Sequence, residues 1–387
     1  MASAPPTAYQ GECVLCGKCL EVCPLFQATA QEEFSPRAKA DLLRALHSTG
    51  HDLSESGVRR LAGMCLGCQR CREVCPQNVD VPQQIQDLKA QHPGWRSWIW
   101  GRLVTNAPRL YPLLAAWGRQ APGVAPPGRQ DLLRSLGQGG DVPARIETGT
   151  ALAPGVRAEG PWVLFPGCAA RFAKPHWLAA AQQLLDQAGA ALAATPDWAC
   201  CGFTLGQAGL PGEQRRLQEK NIELWREWGR PRVAIFCATC LAGLQGYAQY
   251  AAHWQDDAER EQWLQGLTPL WHFVSALAEP DRRVLAGKHY VAHSPCHSPA
   301  GEGPWLESFL RAHGAQVQAL DHCCGLGGSM QLEHPRMCSR VSSAFWASVA
   351  PETEAVLTGC AGCVLHLGAT APRPIQVGHW LELFVTQ

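Results

Sequence analysis

No excess of either charge sign marks this chain: Lys plus Arg and Asp plus Glu each number 33, so bulk charge selects no nucleic acid and no other polyanion. No run of about 18 apolar residues free of charge occurs, and a membrane-spanning helix is not expected. The opening "MASAPPTAYQGEC" lacks a basic segment followed by an apolar one, which points to a soluble, cytoplasmic protein. A Walker A run is missing, and "GLGGS" follows a cysteine pair instead of joining a strand to a helix. No flavin or nicotinamide of its own is therefore expected, and a redox role would need electrons from a partner.

Cysteine is what the chain has in quantity, with 19 among 387 residues. In a reducing compartment disulfides do not persist, so tight Cys-x-x-Cys groups read as thiolate ligands. Eighteen fall into regular motifs; Cys338 is left over and reads as a small buried apolar residue. "CVLCGKCLEVCP" supplies Cys13, Cys16, Cys19 and Cys23, and "CLGCQRCREVCP" supplies Cys65, Cys68, Cys71 and Cys75. Both fit C-x2-C-x2-C-x3-C-P, the bacterial ferredoxin run whose fourth cysteine ligates the other cluster. Three thiolates two residues apart on a tight loop suit three irons of a cubane. Gly17 and Gly67 relieve crowding there and open amides toward the sulfides. Two [4Fe-4S] cubanes are expected: Cys13, Cys16 and Cys19 completed by Cys75, and Cys65, Cys68 and Cys71 completed by Cys23. The alternative, a pair of zinc sites, fits a twice-repeated twelve-residue pattern less well. Between the runs, "SPRAKADLLRALHSTG" predicts a helix capped by Ser35, with Pro36 in its first turn and Gly50 ending it. This insertion resembles the alpha-helical ferredoxin domain.

Further on, β-like runs such as "PWVLFPGC" and "RVAIFCATC" alternate with helix-like ones such as "PHWLAAAQQLLDQAG", and the pattern restarts at "KHYVAHSPC". Cysteine spacing repeats as well. Between Cys201 and Cys237 lie 35 residues, as between Cys324 and Cys360, and each stretch opens on Cys-Cys-Gly and closes on Cys-x-x-Cys. Five thiols per repeat is an odd number for zinc, which takes four. The reading is an α+β multidomain chain: an alpha-helical ferredoxin domain over 1–90, a basic, Trp-rich connector over 91–158, and α/β repeats over 159–280 and 281–387.

The repeat resembles the cysteine-rich "CCG" domain found in heterodisulfide reductases. That resemblance implies a noncubane [4Fe-4S] cluster held by five cysteines, with one or both repeats filled. The first set is Cys168, Cys200, Cys201, Cys237 and Cys240; the second is Cys296, Cys323, Cys324, Cys360 and Cys363. Two ferredoxin runs followed by two CCG repeats also resemble the iron–sulfur subunits of glycolate oxidase, lactate-utilisation complexes and anaerobic glycerol-3-phosphate dehydrogenase. The resemblance implies an oxidoreductase subunit that takes electrons from a flavoprotein oxidising a 2-hydroxyacid or glycerol 3-phosphate and passes them to quinone or another acceptor. The intact "CATC" of the first repeat departs from those subunits, where this motif is generally degenerate. It keeps open the alternative of a reductase whose CCG cluster cleaves a disulfide or handles a sulfur substrate.

Gly202 and Gly325 follow the cysteine pairs, where backbone must approach a cluster closely, and His293 and His297 flank Cys296 as candidate proton carriers. Between residues 93 and 134 of the connector stand six arginines, Arg96, Arg102, Arg109, Arg119, Arg129 and Arg134, against the single acid Asp131, with Trp95, Trp98, Trp100, Tyr111 and Trp117 interleaved. Such a stretch suits a partner protein or a membrane surface at the inner face, although Pro108, Pro112 and Pro122 argue against one long helix.

Overall fold

The structure, a computed structural model, describes residues 11–49, 55–120, 146, 161–275, 277, 284–299 and 301–384. Gly50, Pro122, Arg129, Asp131 and Arg134 lie outside these residues, as do the side chains of Trp117 and Arg119. The chain forms two compact units. One comprises Met1–Leu103, Thr204–Glu213 and Cys323–Phe345; the other comprises Val104–Phe203, Gln214–His322 and Trp346–Gln387.

The first unit is helical among its described residues, and its local rules are those the sequence announces. Pro24 opens the helix Pro24–Thr29 immediately after Cys23. Ser35 caps Pro36–Thr49, its Oγ accepting from Ala38 N at 3.0 Å. Asp80 caps Val81–Gln91 by accepting from Gln83 N at 3.0 Å. Two apolar cores result. Leu25, Phe34 and Leu66 pack with Met330 and Val341, while Ala40, Leu43, Val79 and Ile85 pack around Cys71.

The second unit holds two sheets. β1 (Trp162–Phe165), β2 (Arg232–Ile235) and β3 (Leu267–Pro269) form one in the order β1-β2-β3. β4 (His289–His293), β5 (Gln316–Leu320), β6 (Ala355–Thr358) and β7 (Gln376–His379) form the other in the order β5-β4-β6-β7. Every strand pairing is parallel, with Trp162 opposite Arg232 and His293 opposite Thr358. Within the α+β chain the two repeats are α/β, as the sequence leads one to expect: parallel neighbours need crossover connections, and helices supply them. β1 and β6 are buried along their whole length, which is why they read as unbroken apolar runs. The connector yields two shorter helices, Trp95–Thr105 and Ala107–Gln120, with Pro112 inside the second.

Candidate iron–sulfur centres

In the first unit, one cavity is lined by Cys23, Cys65, Cys68 and Cys71 together with Lys39 and Leu66. Cys23, Cys68 and Cys71 are buried and Cys65 is half-buried. Burial pushes the Cys23 thiol up, and the Cys68 and Cys71 thiols further, with neighbouring thiols adding to the rise. Thiols gathered this way resist ionising together unless multivalent cations replace their protons, so the donor set fits iron. The Gly67 amide donates to Cys65 Sγ at 3.4 Å. The buried Lys39 ammonium donates to Phe34 O; burial lowers its pKa while Cys65 and Cys23 oppose that fall. Lys39 thus stands as a countercharge beside the thiolates, a role the charged stretch "PRAKADLL" conceals.

The remaining ferredoxin cysteines are more open: Cys16 is exposed, and Cys13, Cys19 and Cys75 are half-buried. Val14 and Leu15 between them are 59% and 50% exposed. Burial and the neighbouring Cys13 raise the Cys19 thiol, and Val79 N donates to Cys75 Sγ at 3.4 Å. Among the described residues, no three His, Cys, Asp or Glu side chains are drawn together tightly enough to hold one bare ion. A cubane places each thiolate on its own iron and does not require that crowding.

In the second unit Cys168, Cys237, Cys296 and Cys360 stand just beyond the ends of β1, β2, β4 and β6, the side of an open α/β sheet that takes ligands. Cys168 follows β1 in the first turn of Gly167–Phe172, Cys237 caps Ala238–Gln245 after β2, and Cys240 lies in that helix's first turn. Helix N-termini favour thiolate. Cys168 and Cys201 donate to Cys200 and hold its thiol well below the usual range, while the donating partners are pushed up. The pair Cys200–Cys201 is held from behind by Asn221, which is fully buried. Its Oδ1 accepts from Ala199 N at 2.8 Å, and its Nδ2 donates to Cys200 O at 3.3 Å and to Tyr247 Oη at 2.9 Å. Tyr247 Oη in turn donates to Cys201 O at 3.2 Å. Tyr111 of the connector also faces this site: burial pushes its phenol up, and Cys168 and Cys200 add to the rise.

Gly202 and Gly325 both adopt positive φ, 77° and 89°. A Cβ on Gly202 would stand 3.3 Å from Gln214 O, and one on Gly325 2.7 Å from Cys338 O. The close approach that demands glycine is therefore to the backbone of the following helix, Pro211–Glu227 or Pro335–Ala347. The Gly325 amide also donates to Cys323 Sγ at 3.4 Å.

The second set of five is divided between the units. Cys296, Cys360 and Cys363 belong to the second unit, whereas Cys323 and Cys324 belong to the first. Cys360 caps Ala361–Thr370, and Thr239 Oγ1 of the first repeat lies 3.1 Å from its Sγ. Ala238 N donates to Gly359 O at 2.9 Å, so the two Cys-x-x-Cys turns abut. Cys237, followed by Cys363, holds the Cys360 thiol well below its usual range. Glu302, buried nearby, is pushed up to about 7 by desolvation; its carboxyl accepts from Ser298 Oγ at 2.6 Å and Trp380 Nε1 at 3.1 Å. His293 has both nitrogens engaged, Nδ1 with Thr358 Oγ1 at 3.1 Å and Nε2 with His322 O at 2.9 Å, and so ties strands together. His297 packs edge-on against Phe203, with Nδ1 3.8 Å from Cys296 Sγ. Cys338 is fully buried, its Sγ 3.7 Å from Leu326 O.

Residues 10–79 match the 4Fe-4S dicluster domain, and residues 162–245 and 290–368 match the cysteine-rich domain. It is an iron–sulfur protein with one dicluster ferredoxin domain and two CCG domains. This iron–sulfur protein is 24% identical to the probable glycolate oxidase iron-sulfur subunit of Bacillus subtilis, over 92% of this chain and 87% of that one. It is 24% identical to the glycolate oxidase iron-sulfur subunit of Escherichia coli, over 96% and 92%. Similarity extends to a subunit of the dihydromethanophenazine:CoB--CoM heterodisulfide reductase of Methanosarcina barkeri, 22% identical over 84% and 79%. These relatives are oxidoreductase subunits, and the iron–sulfur protein shares their character as an electron-transfer subunit. No helix among its described residues is long and apolar enough to cross a membrane.

Proposed function

We propose that the chain is the iron–sulfur subunit of a flavin-dependent dehydrogenase acting on a 2-hydroxyacid of the glycolate or lactate type, or on glycerol 3-phosphate. The observation that carries this reading is the similarity to two glycolate oxidase iron-sulfur subunits along nearly the whole of each chain. In this reading Cys13, Cys16, Cys19 and Cys75 hold one [4Fe-4S] cubane and Cys65, Cys68, Cys71 and Cys23 hold the other; the cavity that the latter four share supports the second set. The five-cysteine sets hold noncubane clusters. When bound, the clusters supply one-electron steps between the partner flavoprotein and quinone or another acceptor. The chain's own part is to bury thiolates and balance their charge, as Lys39 does. The exposed Trp95 and Trp98, each with an arginine over its ring, support contact of the connector with a partner or with the inner face of the membrane.

A second reading, cleavage of a disulfide or handling of a sulfur substrate, is favoured by one observation. All five thiols of the first repeat, "CATC" included, lie in one unit, with Cys360 beside Cys237. Anaerobic turnover of the purified complex separates the two. Reduction of a quinone analogue at the expense of hydroxyacid supports the first; cleavage of a low-molecular-weight disulfide without quinone reduction replaces it by the second.

A further inference from the structure

A cavity of the first unit, about 330 Å³, lies apart from the cysteines, and its lining includes Arg59, Arg60, Lys89 and Arg96. Among the described residues of the lining, Glu333 is the one carboxylate. Lys89 is nine-tenths buried, and its Nζ meets Glu333 at 3.4 Å, so the sole acid answers the deepest cation. Arg60 reaches Glu33, outside the cavity, at 4.0 Å, with both side chains mostly in solvent. Such a contact contributes little. His334, also in the wall, is held below its usual range by burial, opposed by Glu333 and reinforced by Lys89, Arg96 and Arg60. Trp95 stands at the rim with the Arg96 guanidinium over its ring, and a Cβ on Gly94 would meet nothing within 4 Å, so the mouth is open.

Among the described residues of this concave lining cations outnumber the carboxylate, with Arg60, Lys89 and Arg96 set against Glu333, and such a surface focuses a positive potential inside it. Guanidinium groups offer paired donors matched to the two oxygens of a carboxylate or phosphate. We propose that this cavity is a binding site for a small organic or inorganic polyanion bearing two or more carboxylate or phosphate groups. A monovalent anion would leave most of the field unanswered, and the volume exceeds what a single phosphate fills.

The test is calorimetric titration of the purified, cluster-loaded full chain at low ionic strength with pyrophosphate and, separately, with citrate. Saturable binding of either supports the site and selects the phosphate or the carboxylate class. Affinity should fall steeply as salt is raised. The variant R96Q, and independently R59Q, should weaken it about tenfold with iron content unchanged. Absence of saturable binding for both ligands, or affinities that neither substitution alters, would overturn the proposal.

Discussion

Behind the first cysteine pair stands Asn221, bonded to backbone on both sides of Cys200; behind the second stands Pro335–Ala347, where Ser342 Oγ donates only to Ser339 O of its own helix at 3.0 Å. Gly325 presses on that helix's backbone, and Cys323 packs with Met330, Cys338 and Val341. Repeats with one cysteine spacing thus back their pairs with different side chains, a buried amide in the first and an apolar cluster in the second, where His293 Nε2 also meets His322 O. Hydrogen bonds and burial tune cluster potentials, so two centres of one ligand pattern need not share a potential.

The comparison breaks most directly at the ligands. Cys201→Ser is expected to lose about four irons per chain in iron and acid-labile sulfide analysis, whereas Cys338→Ala keeps them all. Cys324→Ser then reports on the second repeat: an equal loss means that both repeats are filled. Next in size is the clamp. Asn221→Leu leaves Ala199 N without its acceptor and Tyr247 Oη without its donor, and should lower unfolding stability by about 2–4 kcal/mol, while Ser342→Ala costs about 1 kcal/mol or less in the same denaturant titration.

Ion pairs give a third contrast. Glu259 is buried; Arg226 binds it at 2.7 and 2.8 Å and Arg230 at 2.9 Å, and Arg226 foremost holds its carboxyl at about 2. Its folded value lies below the usual 4.5, so its stabilisation is complete above pH 4.5 and is lost as pH falls from there toward 2. Glu259→Gln should remove on the order of 2 kcal/mol at pH 7 and flatten that acid limb. The half-buried pair Lys288–Glu354, 2.7 Å apart beside β4, should cost no more than about 1 kcal/mol when Lys288 becomes alanine. Of similar size is Tyr247→Phe, about 1 kcal/mol, seen as faster loss of first-repeat iron to a chelator because the hydroxyl's bond to Cys201 O is gone.

Much of this build is legible in the sequence, because the thiols and their turns are local. Ser35 and Pro36 announce their helix, and the spacing of Cys201 to Cys237 and Cys324 to Cys360 announces the repeat. The clamp is harder to see. In "PGEQRRLQEKNIELWRE" Asn221 sits among charges and looks solvated, yet Leu217, Gln218, Asn221, Ile222 and Trp225 form one buried stripe at helical spacing. That stripe is the signal that could have marked it. Thr239 beside Cys360, Tyr111 beside Cys168 and the arginines gathered around Lys89 had no such signal, since distant segments create those neighbourhoods.

The two expected cubane sets differ in how much water reaches them: Cys16 and the Val14–Leu15 tip are open, while Cys23, Cys68 and Cys71 are closed in. A thiolate that solvent can touch is also one that peroxide can touch. Under air the molecule should therefore age from its N-terminal run inward, and whatever repair or shielding it receives in the cell has to be applied at that loop first.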